Sequence, residues 1–378
     1  MILTQEQEMI RDSMREFAQE RLAPFAGEWD RNHTFPAEAL KELAALGAMG
    51  VVVPEEWDGA GMDYMSLVLM LEEIAAGDGA TSTIVSVQNS LACGITMKYG
   101  SDAQKAQYLK PLARGDMLGC FCLTEPHTGS DASAITTRAT RDGDHFVLNG
   151  VKQFITTGKH AQVAIVFAVT DKAAGKKGIS CFLVPTETPG YIVARIEEKM
   201  GQKASDTAQI IFENCRIPAS CLLGKEGEGY KIALSNLEAG RIGIAAQSVG
   251  MARSALDAAV KYAKERVAFG VPLTGHQAVS FRLADMATQV DAARLMVWRA
   301  AMLKDAGKPC LKEASMAKMF ASEIAEKVCS DAIQIHGGYG YTSDFPVERI
   351  YRDVRVSQIY EGANDIQRLV IGRAIVEE

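Results

Sequence analysis

The sequence predicts an α+β protein, mostly α, with a β segment set between two helical blocks. Three observations carry this. Long apolar stretches low in proline fill the first third. Strand signals separated by turn residues dominate from about Leu118 to about Leu222. After Gly229 the chain returns to long amphipathic stretches divided by short Gly/Pro breaks.

Thr4 and Gln7 form a capping box at the head of a helix expected to run to about Arg21, with Met9, Ile10, Met14, Phe17 and Ala18 on its apolar face. Pro36 and Gly47 bracket a second helix. Residues 64–76 and 82–98 read as buried helices. In the middle, strands are expected at Phe146–Leu148, Val163–Val169, Ile179–Val184 and Thr207–Phe212, with turns at Asp142-Gly143-Asp144 and Asn149-Gly150. Residues 230–266, 276–306 and 311–335 read as long helices of a bundle. A shorter helix near 346–357 and one after Asn364 follow.

The length, 378 residues, exceeds what one core serves and predicts two or three packed units. A net charge of -7 with no basic stripe argues against nucleic acid. No apolar run reaches the ~20 residues of a membrane span. The eight cysteines (Cys93, Cys120, Cys122, Cys181, Cys215, Cys221, Cys310 and Cys329) make no CxxC pair and no Cys/His cluster, so packed thiols are expected and a metal site is not. The N-terminus reads as cytoplasmic, or as mitochondrial matrix if a transit peptide has been removed. No GxGxxG or P-loop is present; Gly224, Gly227 and Gly229 have the wrong spacing for a dinucleotide fingerprint.

Five stretches could carry chemistry, and each has a structural alternative. Cys122 to Asp131 is rich in hydroxyls and small residues that let backbone amides approach a ligand, or it is a loop bonded to itself. Gln334-Ile335-His336-Gly337-Gly338 is a helix C-cap with a packed histidine, or a glycine pair admitting a phosphate. Glu361-Gly362-Ala363-Asn364-Asp365 sets an acid before a helix start, or is a linker. Glu238 and Arg241 share a helical face, as an ion pair or as ligand groups. Arg266 and Phe269, followed by Gln277, could grip a diphosphate and a ring, or cap and pack a helix end.

Together these stretches resemble the acyl-CoA dehydrogenase family, over essentially the whole chain and in order. Cys122 to Ser133 is similar to its first signature, and Gln334 to Asp353 to its second. The resemblance implies an N-terminal helical domain (1–117), a central β-barrel-like domain (118–222) and a C-terminal four-helix bundle (223–378). It implies FAD between the β domain and the bundle, and a homotetramer built as a dimer of dimers.

By the same resemblance, Phe121, Cys122, Leu123, Thr124, Gly129 and Ser130 belong to the loop that bonds the flavin ring, with Ser130 also touching CoA. Phe154, Ile155 and Thr156 cover the flavin face opposite the substrate; many relatives carry Trp where this chain has Phe154. Glu238, Ala239, Gly240 and Arg241 bind the CoA portion. Arg266, Phe269 and Gln277 hold the FAD diphosphate together with Gln334, Ile335, His336, Gly337 and Gly338, the two groups coming from different subunits. Ala363, Asn364 and Asp365 also contact FAD, although Ala363 replaces a common Thr.

Glu361 matches the base of short- and medium-chain members, with Gly362 beside the substrate. Other members place the base where this chain has Gly240, so the resemblance assigns it to Glu361. The implied reaction is α,β-dehydrogenation of an acyl-CoA: Glu361 takes the α-proton and flavin N5 the β-hydride. The segments 240–247 and 312–318 are similar to short-chain members and predict C4–C6 acyl-CoA, with 2-methyl branching left open. Electron-transfer flavoprotein is the implied acceptor. One alternative is an O2-using acyl-CoA oxidase-like or nitroalkane-oxidase-like enzyme, although by the resemblance acyl-CoA oxidases are expected to carry a long C-terminal extension and nitroalkane oxidases to use Asp as base. A second alternative is a non-catalytic flavin- or acyl-CoA-binding relative, against which Glu361 argues.

Overall fold

The computed structural model describes residues 2–377. Thr4 accepts from the Gln7 amide and Gln7 answers to the Thr4 amide, so α1 (Gln5–Phe17) starts at the expected capping box. The helix does not stop near Arg21. A π-helical turn (Ala18–Leu22) passes directly into α2 (Ala23–Asn32), and Pro24 sits in its first turn, where a missing N–H costs no internal bond. Then come α3 (Ala37–Ala45), α4 (Tyr64–Gly77) and α5 (Gly79–Val87). A second π turn (Gln88–Cys93) joins α5 to α6 (Gly94–Tyr99). Two short helices, α7 (Asp102–Gln104) and α8 (Lys110–Arg114), complete the N-terminal part.

The middle is an eight-stranded mixed sheet: β1 (Gly119–Cys122), β2 (Arg138–Asp142), β3 (His145–Thr156), β4 (Val163–Val169), β5 (Ile179–Pro185), β6 (Tyr191–Ile196), β7 (Thr207–Pro218) and β8 (Leu222–Leu223). The order is β6-β7-β3-β2-β4-β5-β8, with β1 parallel to β4. The sheet is apolar on both faces. Val163, Ile165 and Phe167 pack against Leu91 and Leu112 of the helical part, whereas Ala164, Val166 and Ala168 join Phe146, Phe182, Ile210 and Phe212 in an inner core. Tyr191 of β6 reaches Cys120 of β1 across that core, 3.7 Å from hydroxyl to sulfur, so the sheet wraps on itself as a barrel-like unit. All eight cysteines are buried free thiols.

The C-terminal part holds α9 (Gly229–Ser235), α10 (Leu237–Glu265), a hairpin of β9 (Val267–Ala268) and β10 (Val271–Pro272), then α11 (Gln277–Asp305), α12 (Leu311–His336), α13 (Val347–Val354) and α14 (Asn364–Glu377). The single helix expected over 230–266 breaks at Asn236, whose side chain donates to the Ser90 carbonyl instead of continuing one helix. One apolar core runs from α1, α4 and α5 through α10, α11, α12 and α13. Its charges are paired: Arg294 is bidentate on Glu72, and Arg15 and Arg253 converge on Glu73 at 2.9 and 2.5 Å. No helix among the described residues is long and apolar enough to cross a membrane.

The approach of α10 to α4 leaves no room for a side chain at Gly250, where an added Cβ would collide with the Glu72 carbonyl and lie 2.8 Å from the Ala75 Cβ. Gly250→Ala is expected to lower the melting temperature, with overpacking costing about 1–3 kcal/mol. Differential scanning calorimetry checks this; an unchanged transition would show that the helices have slack.

Candidate active site

Glu361 lies in a turn between α13 and α14 that is held from behind. The preceding Tyr360 hydroxyl donates to Gln247 Oε1 at 2.7 Å. Gln247 Nε2 in turn donates to the Gly79 carbonyl and to Thr83 Oγ1, at 2.8 and 2.5 Å. Thr83 Oγ1 donates to Gln202 Oε1 at 2.6 Å, and the Gln202 amide donates to Asp353. The network draws on α5, the β6–β7 connection, α10 and α13. Burial, with Asp78 adding and Arg349 opposing, pushes the Asp353 carboxyl up to about 7.

The turn is left-handed at two successive residues, Glu361 (φ 53°) and Gly362 (φ 88°). A left-handed backbone at a glutamate costs energy and persists only where the surroundings impose it. Lys318 of α12 supplies part of that constraint: its Nζ donates to the Gly362 carbonyl and to Asn364 Oδ1, both at 2.9 Å. Gln367 Nε2 donates to the same carbonyl at 2.8 Å.

This geometry turns the Glu361 carboxylate onto α10. A Cβ at Gly240 would stand 2.5 Å from Glu361 Oε2. Positions 240 and 361 therefore share one space, and the glycine at 240 is what lets the acid at 361 occupy it. The carboxylate has no hydrogen-bond or ion-pair partner among the described residues, and the Glu361 amide donates to none of them. Burial raises the Glu361 carboxyl above its ordinary range, while Lys318 and Arg241 oppose the rise. A half-buried acid with an unused carboxylate beside an unused N–H can accept a proton and stabilise a nearby oxyanion.

The ion pair that was the structural alternative for Glu238 and Arg241 does not form. Glu238 accepts from Lys304 Nζ at 2.9 Å. Arg241 is buried, donates to Ser315 Oγ at 3.1 Å, and keeps Nε without a partner. Ala239 and Gly240 are buried in the same turn of α10.

The Cys122–Asp131 stretch begins in a strand, since Phe121 and Cys122 close β1. Beyond it, Thr124 accepts the Gln153 amide at 2.9 Å, while Gly129 and Ser130 are exposed. The anchor of this loop is Glu125, which sequence reasoning passed over. It accepts from the Thr136 and Thr137 amides at 2.6 and 2.9 Å and from Lys152 Nζ at 2.8 Å, with Lys152 fully buried. Burial alone would raise this carboxyl, but the Lys152 ammonium and these bonds hold it at about 2. Alternation along β3 offered the signal: Phe146, Leu148 and Lys152 share the inward parity, so the lysine occupies a core position.

Phe154 breaks β3 with φ 59° and is 63% exposed, whereas Ile155 is buried and Thr156 half-buried. The bulge between Lys152 and Ile155 turns the ring out of the sheet, next to the residue that binds Thr124. At the far end of the bundle, Ile335 and His336 are buried, and His336 stacks on Tyr262 at 4.3 Å. Gln334, Gly337 and Gly338 are exposed. Arg266 lies over the Tyr339 ring at 5.9 Å, which joins the fifth stretch to the second. Phe269 caps the β9–β10 hairpin, 98% exposed, and Gln277 opens α11. Ala363 precedes α14 and Asn364 opens it, with Asn364 buried and Asp365 exposed.

Comparison with known proteins fits this arrangement. Family models described as the N-terminal, middle and C-terminal domains of acyl-CoA dehydrogenase match residues 4–116, 120–215 and 227–376. The short-chain specific acyl-CoA dehydrogenase of Rattus norvegicus, a mitochondrial protein, is 50% identical over 369 residues, covering 98% of this chain and 90% of the relative. The chain belongs to the acyl-CoA dehydrogenase family. Butyryl-CoA dehydrogenase from Megasphaera elsdenii superposes with a TM-score of 0.97 at 42% identity, covering 100% and 99% of the two chains. A chain solved in work on the electron transferring flavoprotein of Acidaminococcus fermentans superposes at 0.98 with 47% identity and the same coverage.

Acyl-CoA dehydrogenases are FAD flavoproteins. The residues of this acyl-CoA dehydrogenase fit that cofactor. A Cβ at Gly337 or Gly338 would meet nothing within 4 Å, so the backbone there is open to a phosphate. Arg266 supplies a cation beside it. The loop pinned by Glu125 presents Thr124 and the exposed Phe154 together, a polar edge and an aromatic face suited to a flavin ring.

Lys152→Met leaves the Glu125 carboxylate buried without its cation, a loss of about 3–5 kcal/mol. The expected result is a lower melting temperature and a lower flavin-to-protein ratio after gel filtration; wild-type values for both would contradict the anchoring role. Because the folded Glu125 carboxyl lies below its unfolded value of 4.5, its contribution is full at neutral pH and is lost as pH falls towards about 2.

Proposed function

We propose that this chain oxidises short-chain acyl-CoA, of C4–C6 length, to the trans-2-enoyl thioester, with Glu361 as the base. The observation that carries the assignment is the placement of the unpartnered Glu361 carboxylate over Gly240. A carboxylate at its ordinary pKa is a weak base for a thioester α-carbon. Burial raises the Glu361 carboxyl, and bound substrate expels the remaining water, so proton affinity rises where it is used.

The free amide of Glu361 donates to the thioester oxygen as negative charge develops there. The Tyr360 network keeps amide and carboxylate in one register. Arg241 and Lys318 keep the carboxylate ionised until the α C–H is presented. FAD, when bound, accepts the β-hydride that leaves as the double bond forms. The proton resides on Glu361 at the end of this step.

The short-chain reading is supported by the relatives, one named short-chain specific and another a butyryl-CoA dehydrogenase. The remaining assignments follow the family. Thr124, Ser130 and Phe154 to Thr156 face the flavin, Glu238 to Arg241 and Gly362 line the substrate, and Arg266, Phe269, Gln277 and Gln334 to Gly338 hold the FAD diphosphate across a dimer-of-dimers tetramer. Units 1–117, 118–222 and 223–378 carry these roles. Electrons pass to an electron-transfer flavoprotein in an aqueous compartment, the cytoplasm or a mitochondrial matrix.

Glu361→Gln is expected to retain FAD and acyl-CoA binding while flavin bleaching by butyryl-CoA slows by at least about a hundredfold, the usual contribution of a positioned base. Anaerobic stopped-flow measures it, and bleaching at the wild-type rate would sink the assignment. In a steady-state panel from butyryl- to octanoyl-CoA including 2-methylbutyryl-CoA, the maximum is expected at C4–C6; a maximum at octanoyl-CoA would refute the short-chain reading.

A further inference from the structure

Lys318 is a lysine in a core position. On α12 it shares a face with Ala314, Ala321 and Ala325, all fully buried, and its own side chain is fully buried as well. A lysine so placed carries a large desolvation penalty unless its charge is used. Its two polar contacts are the Gly362 carbonyl and Asn364 Oδ1, one on the turn that carries Glu361 and one at the start of α14.

We propose that Lys318 is a positioning residue for dehydrogenation, its ammonium clamping the left-handed turn at Glu361–Gly362 and holding the Glu361 carboxylate ionised from the side opposite the substrate. The inference rests on Glu361 being the base. Two features separate this role from packing. A methionine or leucine would fill the same slot between alanines without a desolvation cost. And the turn it holds is left-handed at a non-glycine residue, a conformation that needs an external restraint.

The charges around the pair are few. From α10, Arg241 faces both Glu361 and Lys318, with Glu238 beyond it held by Lys304 of α11. From α12, Glu323 faces Lys318 and is itself engaged by Asn364 Nδ2 at 3.1 Å and by Arg368 of α14 at 2.6 Å. Tyr360 is neutral and turned to Gln247. Burial pushes the Lys318 ammonium down to about 7, with Glu361 pulling it up and Arg241 pushing it down. Lys318 is therefore cationic in the acid range, where the half-buried Glu361, its pKa raised, would otherwise take up a proton.

The test is the pH profile of kcat/KM for butyryl-CoA in FAD-loaded Lys318→Met and Lys318→Arg, with E361Q as control. Loss of an opposite charge near a carboxylate raises its pKa by about one unit or more. In K318M the acid limb is expected to move to higher pH by that amount and kcat to fall, while K318R moves the limb back towards wild type. An acid limb unmoved in K318M, with E361Q inactive, overturns the role of Lys318 and leaves the base intact. An active E361Q overturns the base assignment itself. Should K318M fail to retain FAD or to melt cooperatively, K318R and Asn364→Ala carry the test. N364A removes one of the two clamps without removing charge and is expected to lower kcat with the limb in place; wild-type kcat in N364A would overturn the clamp.

Discussion

Three glycines on one face of α10 determine how closely the rest of the chain gathers. Gly240, Gly243 and Gly250 follow helical spacing. At Gly250 the helix lies against the α4 backbone, at Gly243 against Ser86 of α5, and at Gly240 against the Glu361 carboxylate. The same contact that packs the bundle on the N-terminal helices thus creates the site. A side chain at Gly250 or Gly243 would push α10 away from α4 and α5, and one at Gly240 would displace the Glu361 carboxylate. Close packing transmits such shifts because protein interiors have few voids to absorb them.

What that approach brings together is polar. Tyr360, Gln247, Thr83, Gln202 and Asp353 bond in sequence across elements far apart in the chain, and Lys318 and Gln367 hold the next two residues. A fully satisfied buried network specifies one geometry at a cost in stability that an apolar core would not incur. Here the geometry specified is a left-handed glutamate with a bare carboxylate. The Glu125–Lys152 pair plays the corresponding part for the loop at Thr124. In both places a buried lysine fixes a segment whose own sequence is permissive.

Much of the architecture was legible from local signals. The Thr4/Gln7 capping box, the apolar runs that become β4 and β5, and the Gly270/Pro272 break between α10 and α11 are all encoded in neighbouring residues. The π turn at Ala18–Leu22 was not legible, because Pro24 reads as a terminator unless the helix is known to shift its hydrogen bonding one turn earlier. Of the site, Glu361 and its glycine neighbours stood out by motif. The residues that make Glu361 usable did not. Lys318 looked like part of a chain-length cue, and only its helical spacing among alanines and serines betrayed a buried position; the Glu125–Lys152 anchor of the Thr124 loop is likewise split between residues distant in sequence. The structural alternative of a Glu238–Arg241 ion pair fails because Glu238 is taken by Lys304, and spacing on one helix says nothing about a lysine on another.

The central proposal, that Glu361 is the group that takes the α-proton, is tested most directly by isotope exchange. Holoenzyme with its flavin already reduced cannot accept a hydride, so butyryl-CoA in D2O can only exchange at the α-carbon. Mass spectrometry of the recovered thioester should show α-deuterium with the wild-type enzyme and none above background with E361Q. Exchange by E361Q at the wild-type rate would contradict the account.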